Sequence, residues 1–360
     1  MKLARVLGGR PPSASTALLA VLVPVALVIT GCAAGGHHHR SAPATSPSAS
    51  PASGSIPTVK VDCNRRGAVR VASADALSAA IGAAKPGEMI SLAPGTYVGE
   101  FVATSSGHPG APITLCGSRD SILEGESIRH GYVVYLKDVS WWRLEGFSVL
   151  GGQKGVVADH ATNDLIYGLY VHGTGDEAIH LRAFSSHDTV SHCVVRHTGL
   201  LVQFFGEGIY VGSANKNWCR YTGCKPDRSD DDTIVANDIA DTPAENIDIK
   251  EGTTGGLIIG NHLDGVGMVA SAATAWINVK GNDWTIKDNT GIDSIGDGFA
   301  VHQVYPGWGI GNVFLGNDAQ VGGPGVGIYV QSSSLKTVVA CNNTAVKASG
   351  GLSNQPCKTP

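Results

Sequence analysis

Little in this chain suits a helical or a nucleic-acid-binding protein. Aromatic residues make up only 6% of its 360 positions and charged residues only 16%. No basic stripe runs along it, and the formal net charge is −4, which argues against nucleic acid as a partner. Helix-period segments are missing between the apolar stretches, and that makes a doubly wound α/β sheet unlikely. The abundant residue is glycine, 48 in all. A helix-rich protein does not tolerate that load, so the composition describes many turns and thin strands.

The first residues stand apart. Lys2, Arg5 and Arg10 precede an apolar run from Ala17 to Ile29, followed by Ile29-Thr30-Gly31-Cys32. This resembles a bacterial lipoprotein signal, in which the cysteine, here Cys32, is diacylated after cleavage. The run is short for a membrane span and carries Pro24. Residues 1–31 are thus expected to be a signal peptide and the protein to be extracytoplasmic, held to the membrane by lipid. Residues 32–60, rich in Ala, Ser and Pro with a His37-His38-His39 run, read as a flexible tether. Residues 61–357 are left as one large domain, expected to be monomeric.

Seven cysteines follow Cys32, and an exported chain can oxidise them. Closeness in sequence suggests Cys219 with Cys224 and Cys341 with Cys357, and more distantly Cys63 with Cys116. Cys193 is then a buried free thiol.

A seven-residue pattern recurs eight times: GYVVYLK from Gly131, QKGVVAD from Gln153, DEAIHLR from Asp176, GEGIYVG from Gly206, AENIDIK from Ala244, TAWINVK from Thr274, GDGFAVH from Gly296 and GVGIYVQ from Gly325. A second series, from WRLEGFSV at Trp142 to VFLGNDA at Val313, interleaves with it. Both tend to alternate apolar and polar residues, as strands with one buried face do. Short strands at this spacing with glycine and asparagine corners predict an all-β, right-handed parallel β-helix of eight or so coils, at least two strands to a coil. Asn237, Asn261, Asn289 and Asn317 share one turn position and are expected to stack as a structural ladder, with Cys193 taking that place one coil earlier. The stretch from Ala74 to Ala84, with Leu77 and Ile81 four apart, predicts an amphipathic helix capping the first coil. With the strand that follows, KPGEMISLAPGTYVG, it resembles the opening of many proteins of the pectate-lyase-like superfamily.

Equal places in successive heptads form columns about 4.8 Å apart. The second place holds Glu177, Glu207 and Glu245 in consecutive coils. Strict alternation aims it inward, unless the glycine or asparagine often found at the third place makes a corner; the corner is assumed here. Stacked carboxylates repel one another unless a cation sits among them. Calcium is one solution, with Glu207, Glu245 and the outward Asp248 as its ligands. The other is that each glutamate accepts hydrogen bonds from the turn before its strand. The seventh place gives a basic column of Arg182, Lys250, Lys280 and His302. Its bland account is a surface ion-pair network of little worth to stability.

The segment ENIDIKEGTTGGLIIGN, Glu245 to Asn261, is similar to the strand-turn-strand motif of the chondroitinase-B and alginate-lyase family. That resemblance implies Glu245 as a calcium ligand and Lys250, five residues on, as the base of a β-elimination. Lys280 stands in the column of the family's assisting arginine, and Pro243 where a second acidic ligand would be. The resulting expectation is a calcium-assisted lyase acting on an acidic, uronate-containing polysaccharide, with Lys280 or His302 as proton donor and Arg182 in the same basic patch. An inverting hydrolase using Asp248 with Glu207 or Asp297, and a non-catalytic glycan-binding module, are the alternatives. Trp218, Tyr221, Trp276 and Trp308 are candidates to stack on sugar rings. The acidic run Asp230-Asp231-Asp232 reads as a solvated loop.

Overall fold

The computed structural model describes residues 59–359. Cys32, the signal segment, the His37-His38-His39 run and nearly all of the tether lie outside the described residues. The described chain winds into a right-handed parallel β-helix of about ten coils, with three sheets of eleven, ten and nine strands met in that order along each coil. Thr233–Val235, Asp238–Ile239 and Ile247–Ile249 are one such coil. The second repeat series holds two strands separated only by a tight corner, so each coil has three strands. The coil of Met89–Leu92 at one end and that of Val338–Val339 and Thr344–Val346 at the other lack the heptad, so the coils outnumber the repeats.

The helix Ala74–Ala83 packs against the first coil. Ser73 caps it by accepting the Ala76 amide at 3.3 Å, and Leu77 and Ile81 are its buried face. The fourth and sixth heptad places fill the core. Ile247, Ile249, Ile277, Val279, Phe299 and Val301 are all fully buried there.

The asparagines form the expected ladder. Asn261 Oδ1 accepts both the amide and the side-chain NH₂ of Asn237 at 2.9 Å, and the pattern repeats through Asn289 and Asn317 to Asn343. Cys193, a buried free thiol, starts the column by donating its amide to Asn237 at 2.9 Å. Disulfides join Cys63 to Cys116, Cys219 to Cys224 and Cys341 to Cys357.

A second, acidic ladder lies at the corner before the first sheet. Asp164 accepts the Trp142 amide at 2.6 Å, Asp188 that of Asp164 at 2.8 Å, and Asp232 that of Asp188 at 2.8 Å. All three are buried, and the second oxygen of each has no partner. The acidic run is therefore not simply a solvated loop, because Asp232 points into the wall of the helix. Asp231 alone of the three remains exposed.

Candidate functional site

The third sheet presents its outer face as a groove, and a tight corner sets what lines it. A Cβ on Gly208 would meet the Asn246 carbonyl at 2.6 Å and Ile239 at 2.7 Å. Only glycine lets the chain turn so closely there, and the turn swings Glu207 out of the core into the groove. Glu177 and Glu245 also line the groove, with Ala178 and Asn246 at the place of that glycine.

At the centre Glu207, Glu245 and Asp248 bring carboxylate oxygens within 4.8 Å of one another. Two lysines close on them from the seventh column. Lys250 Nζ is 2.6 Å from Asp248 Oδ2 and Lys280 Nζ 2.5 Å from Asp248 Oδ1. Despite its burial, Asp248 is held below the usual carboxylate range by these two ammonium groups. Asp248 in turn raises Lys250 well above the ordinary lysine value, against the desolvation that would lower it. The ammonium of Lys250 is thus secured, which opposes the neutral-base role expected for it. Burial, with Asp248 adding repulsion, pushes Glu207 up to about 8, so it is mostly protonated at neutral pH. Glu245 is raised by the same two causes, and Asn278 donates to its Oε1 at 2.9 Å.

Sequence reasoning missed Tyr210. It is paired with Asp248 across adjacent strands, at the outward fifth place of its heptad. Lys250 Nζ lies 4.8 Å from the ring centroid and within hydrogen-bonding reach of the hydroxyl. Burial raises the phenol, while Lys250 is the largest influence lowering it. The alternation that marks Asp248 as outward was the signal available for Tyr210. His180 packs edge-on against Tyr210 with ring centroids 4.3 Å apart. Its Nε2 bonds to the Gly212 carbonyl at 2.9 Å, and burial keeps the ring neutral.

On one side of the centre opens a cavity of about 350 Å³. Lys154 pairs with Glu177 there. Arg182 is taken up by Asp159, at 2.6 and 3.1 Å, and by the Tyr132 hydroxyl at 3.0 Å. Its guanidinium also stacks 4.3 Å from the Tyr221 ring, so Arg182 joins the insert to the sheet. On the other side a cavity of about 370 Å³ is lined by Glu245, Asn278, Lys280 and His302. His302 is hydrogen-bonded through Nδ1 to Asn278 Oδ1 at 2.8 Å. Because the Asn278 NH₂ faces Glu245, its oxygen takes the His302 Nδ1 proton and Nε2 is left open. Burial, then Lys280, lowers the pKa of His302.

Of the aromatic candidates, Trp276 is fully buried in the core and donates to the Ile292 carbonyl at 3.0 Å, so it cannot meet a sugar. Trp218 is nearly buried, anchoring the insert on the Ser213 carbonyl and packing edge-on against Tyr305. Trp308 is half-buried, and neither groove cavity includes it. Tyr221 lines the first cavity. The prominent exposed ring is instead Phe204, 57% accessible, which borders both cavities.

The expected calcium site is a poor match to these donors. Glu207, Glu245 and Asp248 do converge, but both Asp248 oxygens take ammonium groups and Glu245 Oε1 takes Asn278, so an ion there would compete with the lysines and draw on water for much of the six to eight oxygens that calcium prefers. Glu207 Oε2, buried without a partner, is the one atom there that still calls for a donor.

No family model and no curated protein matches the chain. Among solved structures it is similar to an alginate lyase from Paenibacillus sp. str. FPU-7, with 32% identity and a TM-score of 0.74 over 81% of this chain and 99% of that one. A pectate lyase is 18% identical with a TM-score of 0.60, over 76% of this chain and 70% of that one. A rhamnogalacturonan lyase is 13% identical with a TM-score of 0.53, over 76% and 80%. The last two share the fold.

Proposed function

The chain belongs to the parallel β-helix family of the Paenibacillus alginate lyase, and from that premise we propose that it is a polysaccharide lyase, cleaving a uronate polymer by β-elimination in the third-sheet groove. The observation that carries the mechanism is the position of Lys250, bonded to Asp248 and set over Tyr210 on the groove floor.

Elimination requires loss of the C5 proton, a positive charge beside the C5 carboxylate, and a proton for the departing O4. In this reading Tyr210 reacts through its minor phenolate form, which Lys250 favours against the burial that raises the phenol, and takes the C5 proton. The C5–H electron pair becomes the C4–C5 double bond, and the C4–O4 pair leaves on O4. Lys250, kept charged by Asp248, donates its proton to O4. Proton transfer from Tyr210 to the neighbouring Lys250 then resets the site. Lys280 and His302 face the adjoining sugar, and Arg182 positions Tyr221 and Tyr132.

No step needs a divalent cation, because Lys250 and Lys280 supply the positive charge. A hydrolase would need two free carboxyls facing a water. Asp248 has none to spare, and Asp297 accepts the Val326 amide at 2.8 Å, outside both groove cavities. The lipobox supports action outside the cytoplasm on a lipid anchor at Cys32. Loss of the protein from the membrane fraction on Cys32→Ser tests that part.

The main test is growth of unsaturated-uronate absorbance on alginate, pectate and glycosaminoglycan, with and without chelator. Cleavage of alginate that persists in chelator is expected. Products with new reducing ends but no double bond would favour a hydrolase, and binding without turnover would favour an adhesive module.

A further inference from the structure

Every cation in the groove is committed to a carboxylate except two. Lys154 is paired with Glu177, Arg182 with Asp159, and Lys250 and Lys280 with Asp248. Lys216 and Arg220 line the same first cavity, are exposed, and have no carboxylate partner among the described residues. Both lie on the insert after strand Ile209–Val211, in the short helical turns Asn215–Asn217 and Trp218–Tyr221.

The insert is a fixed wall. Asp227, fully buried at its far end, accepts the Ala183 and Phe184 amides at 2.9 Å and the Ser213 hydroxyl at 2.7 Å. The Asn215 amide donates to Glu251 at 2.6 Å, and Arg182 stacks on Tyr221. Arg220 lies over the Tyr221 ring, 5.1 Å from its centroid, and two cations without a carboxylate partner on a rigid wall are pre-organised for an anion, because little backbone must be ordered on binding. The opposite wall is apolar, made by Phe204 and Phe205, which are 57% and 43% exposed. A groove cationic on one wall and aromatic on the other matches a chain of pyranose rings with carboxylates along one edge and C–H faces on the other.

We infer that this insert is a polyuronate-binding arm: Lys216 and Arg220 hold the carboxylates of sugars beyond the reacting one, with Phe204 packing against a ring face. The inference rests on the lyase reading for the identity of the ligand, and it concerns how far along the polymer recognition extends. Sugars at the reaction centre meet Lys250 and Tyr210; the arm engages only a chain long enough to reach past them.

The test uses the full chain with Lys216→Ser and Arg220→Ser combined, both at exposed positions, and reads alginate binding by calorimetry at two salt concentrations beside cleavage kinetics on polymer and on the shortest cleavable oligomer. Two lost surface charge contacts should weaken polymer binding and raise its KM about tenfold, with kcat and short-oligomer cleavage unchanged. The salt dependence of polymer binding should become shallower. Equal effects on polymer and short oligomer, or no effect on either, would overturn the arm. A wild type that binds alginate without cleaving it would defeat the lyase reading alone, since the binding comparison still decides the arm.

Discussion

Asp164→Asn should stabilise the protein, and by an amount that depends on pH. Asp164 is buried, one oxygen accepts the Trp142 amide and the other has no partner. Burial lifts its pKa to about 7, against about 3.9 in an unfolded chain. The folded state therefore binds the proton more tightly. The stability this proton provides is complete below about pH 4, declines as pH rises toward 7, and is gone above that. The gap corresponds to roughly 4 kcal/mol at full ionisation. Asparagine cannot ionise, and the same column shows what it does: Asn312 accepts the Trp284 amide at 2.9 Å and donates its NH₂ to the Gly281 carbonyl at 3.0 Å. Allowing about half the gap for relaxation of the ionised site, Asp164→Asn should gain about 2 kcal/mol at pH 8 and close to nothing at pH 4. Thermal unfolding followed by circular dichroism across that range should show Tm curves that meet in acid and separate by several degrees in mild alkali. Parallel curves, or a variant less stable at pH 8, would refute the protonated ladder. Asp188, raised well above the usual range by burial and then by Asp232 and Asp164, and Asp232, raised by burial and by the acidic residues beside it, should respond in the same direction.

Tyr210→Phe and Lys250→Ala should each lower kcat by at least a hundredfold with small changes in KM, as removal of a proton-transfer group does; steady-state kinetics on alginate decide it, and a Lys250→Ala enzyme of normal rate would discard the mechanism. Asp248→Asn should cost about 3 kcal/mol or more in chemical denaturation, because Lys250 and Lys280 would share a buried site without their counter-charge. Asn289→Ala removes the acceptor for two Asn261 donors and the donor to Ile258 and Asn317, and should destabilise by roughly 3 kcal/mol in the same assay.

Much of the solenoid was legible because stacking makes it periodic. The heptads announced the third sheet, and the asparagine spacing announced a ladder that continues to Asn343. The corner strands of the second series were harder to separate, since the turn between Val235 and Asp238 is only two residues, marked by Asn237 alone. The acidic ladder was invisible for a different reason. Asp164, Asp188 and Asp232 look like any surface aspartates, and only coil-to-coil register shows that each receives an amide from the coil before it. In the groove, the columns brought Glu207, Glu245, Asp248, Lys250 and Lys280 together as expected. Trp276 went to the core because the third heptad place, small in several other coils, admits an inward ring there.

The sign of Lys250's pKa shift shows why a short motif could not supply the mechanism. Along the chain Lys250 follows Glu245 by five residues, and the local pattern leaves its charge open between an acidic and a basic neighbour. Its nearest groups are Asp248, two residues before it on the strand that ends at Ile249, and Tyr210 one coil earlier; Asp248 is itself shared with Lys280 one coil later. The ionisable groups of the groove are thus set by alternate neighbours along one strand together with the coils on either side. A lysine wedged only among cations has its pKa lowered toward that of a base, whereas the one sharing a carboxylate here is held protonated, and in the proposed elimination it is therefore the phenol beneath it that takes the C5 proton.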